Sequence, residues 1–105
     1  MTDATALKLH RILMAGLLEA KQVGAYKSSP NVIMSAGRVV YRPPGPRFAK
    51  PGIRALTEWL EGPGRSAHPI VSSACAHYEI ARLHPFRDGN GRVARALATW
   101  VLYHR

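Results

Sequence analysis

"HPFRDGNGR", residues His84 to Arg92, separates two apolar runs of helical character. A helix does not favour Gly-Asn-Gly, and a plain surface loop has no need of a Pro-Phe anchor. Gly89 and Gly91 permit positive φ and leave backbone N–H groups uncovered by side chains. Those groups fall just before a helix, where orphan donors and the helix dipole both favour an anion. Arg92 and Arg95 are three apart at the start of that helix, so they share a face and can reach one anion. Several donors plus two guanidinium groups suit a di- or triphosphate better than a carboxylate. Asp88 offers a hard oxygen to Mg²⁺, which takes few protein carboxylates and several phosphate oxygens. Asn90 adds a donor for a further phosphate oxygen. His84 stands four residues before the acid, and a histidine can take a proton from a hydroxyl near neutral pH. Phe86 needs no chemical role: its ring is expected to plug the core and hold the loop rigid. The segment reads as a phosphate cradle with a base beside it.

Outward from this loop, the spacing of apolar residues predicts a mainly helical chain. Ala4 to about Gln22 lacks proline, is rich in Leu and Ala, and reads as one helix with Gly24 as its stop. NVIM and VVYR are short β-branched or aromatic runs around Ser35-Ala36-Gly37-Arg38, a hairpin signal closed off by Pro43-Pro44. A helix begins near Lys50 with Pro51 in its first turn, carries Ile53, Leu56 and Leu60 on one face, and ends at Gly62-Pro63-Gly64. From Ala67 to Leu83 another helix sets Val71, Ala74, Cys75 and Tyr78 along its apolar side. After the loop a last helix, from about Gly91, has Val93, Ala96, Leu97, Trp100 and Val101 as its buried stripe.

At 105 residues the chain is at most one domain. An apolar share of 47% argues for a globular fold over disorder. No apolar run approaches the roughly 20 residues of a membrane span, and the N-terminus lacks a signal-peptide layout, so a cytoplasmic protein is expected. The lone Cys75 forms no intrachain disulfide and reads as a small core residue. The net charge is +9, from 15 basic and 6 acidic side chains. Its arginines are scattered instead of gathered in a basic run with aromatics between. That favours an Arg-rich surface with a site for a small polyanion over nucleic acid as main ligand. His77 has no H-E-x-x-H frame, so zinc is not expected. His10, His68 and His104 read as surface or helix-packing residues, and Trp59 and Trp100 as core or interface packing.

Residues 84–95, HPFRDGNGRVAR, match HPFx[D/E]GNGRxxR at every specified position, and the chain resembles the Fic (Fido) domain family. LHRILMAG, Gly24-Ala25-Tyr26-Lys27, YRPP and LTEWL also look like features of that core, so the likeness spans most of the chain. It implies a helical bundle with a short β-hairpin flap. Most such proteins are adenylyltransferases that move AMP from ATP to a Tyr, Ser or Thr hydroxyl of a protein. By position, His84 is the implied general base, Asp88 the Mg²⁺ ligand, and Gly89, Asn90 and Gly91 the anion hole. Arg92 and Arg95 are implied for the β- and γ-phosphates, with Phe86 completing the nucleotide-binding set. Ser35, Ala36, Gly37 and Arg38 resemble the tip of the flap, whose edge holds a target segment by strand addition. The alternatives are another donor (UMP or phosphocholine transfer), or an inactive fragment serving as a binding module.

Three departures from the family pattern stand out. Lys27 replaces the usual Arg, keeping the charge but losing the planar fork. The inhibitory pattern [S/T]-x-x-x-E-[G/N] occurs only at Thr57–Gly62, inside the helix after the hairpin, where the family does not place it. Inhibition is therefore expected from an antitoxin partner in trans, as in toxin–antitoxin pairs, or not at all. Thirdly, the chain stops after the motif helix, whereas relatives continue. A C-terminally truncated, incomplete domain over residues 1–105 is expected, with Val93, Leu97, Trp100 and Val101 short of cover and self-association through that helix.

Overall fold

The computed structural model describes residues 1–105. Four helices and one hairpin follow in the order α1 (Asp3–Met14), β1 (Ile33–Ser35), β2 (Arg38–Tyr41), α2 (Ala49–Glu61), α3 (Pro69–Leu83) and α4 (Asn90–Tyr103). Single 3₁₀ turns at Ala20–Gln22, Pro46–Phe48 and Pro63–Ser66 punctuate the connections. The mainly helical fold with a two-stranded antiparallel flap agrees with expectation. No helix is long and apolar enough to cross a membrane.

The motif joins α3 to α4, and these two helices pack together along most of their length, with α1 and α2 closing the other sides. Ile53, Leu56 and Leu60 of α2 meet Ala76, Ile80 and Leu83 of α3 and Val93, Ala94, Leu97 and Val101 of α4 in one buried cluster. α2 and α3 come close because Gly52 has no side chain: a Cβ there would stand 2.6 Å from Leu83 Cδ2. The α2 face is the one its spacing predicts.

Several expectations need correction. The first helix ends at Met14, well before Gln22, because Ala15 swings to ψ 127 and Gly16 turns left-handed at φ 79. In α3 the predicted apolar side faces outward: Val71 is 51% and Tyr78 63% exposed, and Cys75 is only half-buried. The buried side instead carries Ser72, Ser73, Ala76, Ile80 and Leu83. The two serines are satisfied there, Ser72 Oγ donating to Gly64 O at 2.7 Å and Ser73 Oγ to Ala98 O at 2.9 Å. In α4 Ala94 takes the buried place expected of Ala96. Val93, Leu97 and Val101 are fully covered after all, and of the stripe expected to lack cover only Trp100 opens to solvent.

The hairpin turns on Ala36 and Gly37, both at positive φ (51° and 76°), which is the two-residue geometry matched to strand twist. Ser35 pairs with Arg38, Met34 with Val39 and Ile33 with Tyr41, so β2 bulges at Val40. Tyr41 fastens the foot of the hairpin to the body, its hydroxyl donating to Arg82 O at 2.8 Å.

Candidate active site

α3 ends in a left-handed residue: His84 has φ 49 and ψ 56, and its N–H donates to Ile80 O at 2.9 Å. That turn sends Pro85 and Phe86 into the core, where both are closed to solvent. The Phe86 ring stacks on His10 at 4.1 Å and on Tyr26 at 5.8 Å between centroids, so it does plug the core beneath the loop.

The remaining loop is clasped from several sides. Asn90, nearly buried, accepts from Phe86 N and donates to Phe86 O, both at 2.9 Å. Its amide is thus turned inward onto the loop, and not outward to an anion; only its backbone N–H is offered there. Phe86 O also accepts from Asn31 Nδ2 at 3.0 Å, and Pro85 O from Lys27 N at 2.9 Å. Lys27 Nζ reaches Asn31 Oδ1 at 2.7 Å and Pro44 O at 2.8 Å, tying the strands' approach to the motif. Burial of that ammonium group pushes its pKa below the ordinary lysine value. His10, expected at the surface or packing between helices, is fully buried. Its Nδ1 accepts from Gly24 N and its Nε2 donates to Asp88 O, both at 2.9 Å. His10, Lys27 and Asn31 lie far from the motif in sequence, and no local pattern marks them as its supports.

Gly89 caps α4 at φ 83 and packs so tightly on Met14 that an added Cβ would lie 2.6 Å from its Sδ. Glycine is needed here twice over, for its backbone angle and for the approach. Gly89 N donates to Asp88 Oδ1 at 2.8 Å, so this donor is occupied by the neighbouring carboxylate. Asn90, Gly91 and Arg92, in the first turn of α4, have no protein acceptor for their N–H groups. The Arg95 side chain folds back over that turn: a Cβ on Gly91 would stand 3.2 Å from its Nη1. Neither Arg92 nor Arg95 enters an ion pair, and both are exposed. Three open donors with the Arg95 guanidinium over them, and an exposed, unpaired Arg92 in the same turn, make a placement suited to a polyanion.

His84 is half-buried at the edge of this loop, with Nδ1 3.3 Å from Ala81 O. A carbonyl only accepts, so Nδ1 carries the hydrogen and Nε2 is left with a lone pair for a substrate proton. Asp88 is exposed, with one carboxylate oxygen on Gly89 N and the other unbonded. A single carboxylate beside a helix end with open N–H donors fits Mg²⁺ held mainly by phosphate oxygens. Ser35, Ala36, Gly37 and Arg38 are all exposed at the hairpin tip, apart from the loop. The other histidines have local duties: His68 Nδ1 accepts from Ile70 N at the start of α3, and His104 meets Trp100 edge-on.

The model of the Fic/DOC family matches residues 1–102. Protein adenylyltransferase Fic of Drosophila willistoni is 34% identical over 103 residues, covering 97% of this chain and 20% of that protein. The protein of the same name from Nematostella vectensis is 31% identical over 97 residues, covering 91% and 21%. The chain thus spans about a fifth of the length of the curated relatives it matches. A Fic family protein from Desulfovibrio desulfuricans superposes with a TM-score of 0.85 at 33% identity, over 98% of this chain and 30% of that one. A Fic domain containing signaling protein from Bacteroides thetaiotaomicron gives 0.80 at 33% identity, over 98% and 39%. With its motif folded into this loop and its sequence matched almost end to end, the chain belongs to the Fic/DOC family.

Proposed function

We propose that this chain is the core of a protein adenylyltransferase that moves AMP from ATP to a Tyr, Ser or Thr hydroxyl of a target protein. The observation that carries the reading is the open first turn of α4 with the Arg95 guanidinium folded over it. Such a site holds the β- and γ-phosphates through the N–H groups of Asn90, Gly91 and Arg92 and the two arginines. His84 Nε2 takes the proton of the target hydroxyl as its oxygen attacks the α-phosphorus. The new O–P bond forms as the bond to pyrophosphate breaks, and the arginines stabilise the charge gathered on the leaving group. Asp88 would hold Mg²⁺, which would further neutralise the phosphate oxygens. The names of the matched relatives support the same reading.

Labelled ATP, Mg²⁺ and a cell lysate test it. Wild type labels a discrete set of proteins, and both His84→Ala and Arg95→Ala abolish the labelling. If His84→Ala labels everything that wild type labels, the transfer reading is lost. Unlabelled UTP or a CDP-linked donor that competes better than ATP would reassign the donor while keeping the chemistry. Nucleic-acid binding that survives Arg92→Ala and Arg95→Ala, without any transfer, would point to an idle binding module.

A further inference from the structure

The stretch of sequence that holds the hairpin carries charge of one sign. Between Glu19 and Glu58 there is no acidic residue, while Lys21, Lys27, Arg38, Arg42, Arg47, Lys50 and Arg54 all fall in that interval. No carboxylate pairs with a basic residue of the hairpin: the side-chain ion pairs join Glu19 to Lys21, Glu61 to Arg65 and Glu79 to Arg82. Arg38 opens β2 and Arg42 follows its last residue, Tyr41; both are exposed, and neither enters an ion pair. Between them Val39 and Val40 are 40% and 60% exposed. The free edge of a two-stranded sheet also presents backbone donors and acceptors that only an added strand can pair.

We propose that the hairpin docks an extended, acidic segment of the target protein: carboxylates toward its two ends, apolar side chains in its middle. The proposal rests on the transferase reading for its purpose and adds the chemical class of the substrate. Arg38 and Arg42 are four residues apart across the bulge at Val40, so at most about 13 Å of extended chain separates them and the preferred carboxylates lie about three or four residues apart. A basic segment is repelled from the same edge, which makes the charge a filter as well as an attraction. Nucleic acid would meet the charge but not the backbone edge or the exposed valines, and so fits less well.

Fluorescence anisotropy without ATP tests docking apart from chemistry. Three peptide pools, each with a fixed tyrosine, are enriched in Asp and Glu, in neutral residues, or in Lys and Arg. The acidic pool is expected to bind about tenfold tighter than the neutral one at low salt, with the difference shrinking as salt rises. Arg38→Glu with Arg42→Glu reverses the preference toward the basic pool. Lys8→Glu with Arg11→Glu makes the same change of net charge off the hairpin, on exposed positions of α1, and retains the acidic preference. Equal binding of the three pools overturns the proposal. So does an acidic preference that survives the hairpin double variant or is lost equally in the control. A single-stranded oligonucleotide that binds more tightly than the acidic pool, and is released by the hairpin variant, overturns it in favour of nucleic acid. Label transfer from ATP to the pools is read separately: acidic binding with no transfer to any pool counts against the transferase and leaves the docking intact.

Discussion

His10 is closed to solvent, stacked on Phe86, and bonded at both ring nitrogens to backbone 14 and 78 residues away. Because Gly24 N–H points at Nδ1, the ring hydrogen resides on Nε2 and meets the Asp88 carbonyl. The imidazole therefore sets the height of the loop that carries the single carboxylate. His10→Ala leaves both backbone groups without a partner and a void under Phe86, which costs about 2–4 kcal/mol in a denaturant melt. Labelling by the variant, measured where it is still folded, falls as well; unchanged labelling would show that the loop holds itself. Tyr26, also stacked on Phe86, has a buried hydroxyl with no protein partner. Burial above all, with the nearby Asp3 charge, pushes its pKa up to about 12, against a lowering by Arg54. A raised folded-state value means this contribution is whole below pH 10.0 and is lost as pH climbs toward about 12. Tyr26→Phe should flatten that alkaline decline without lowering the melting temperature at neutral pH; a marked loss there would reveal a bond made by the hydroxyl. The motif residues were legible because their chemistry is local. His10 and Asn31 were not, since a buried polar residue in a helix or strap shows its partner only once the chain has folded.

At the scale of elements, periodicity served α2 and failed α3, and the difference is instructive. α2 has one strongly apolar side. α3 has apolar residues on its exposed side too, and its buried side includes Ser72 and Ser73, whose hydroxyls close on carbonyls of neighbouring segments. Counting apolar residues then selects the face with Val71 and Tyr78, which is the wrong one. The early end of α1 was hidden for another reason: Leu17 and Leu18 continue the apolar composition past a turn made by Gly16. The hairpin was legible from its β-branched flanks, although Ala36 at φ 51 is a poor occupant of that turn. Its side chain meets a backbone region that alanine disfavours and that glycine or asparagine accepts. Ala36→Gly is expected to stabilise the hairpin by about 0.5–1 kcal/mol, visible as slower hydrogen exchange across Met34 and Val39. Faster exchange there would mean that the tip is held by something other than its own turn. Gly52→Ala works in the opposite sense, because the methyl drives into buried Leu83 next to His84. Overpacking of this kind costs about 1–3 kcal/mol and should lower labelling along with stability.

For the whole molecule the excess of positive charge acts on folding and on ligands together. A net charge of +9 on 105 residues repels itself in the compact state, and unpaired Arg92 and Arg95 concentrate part of that repulsion at the start of α4. Added sodium chloride screens it over a Debye length of about 10 Å at 0.1 M and raises the melting temperature gradually. Pyrophosphate at matched ionic strength is expected to add a second contribution, by binding the folded helix end and not the unfolded chain. The melting temperature in pyrophosphate should exceed that in chloride by several degrees for wild type, with the excess saturating as a binding curve does. Arg95→Ala retains the chloride response, since one charge of nine is a small change, but loses most of the pyrophosphate excess. Equal responses to the two salts in wild type would mean that the arginines only decorate a charged surface, and that the first turn of α4 does not collect phosphates.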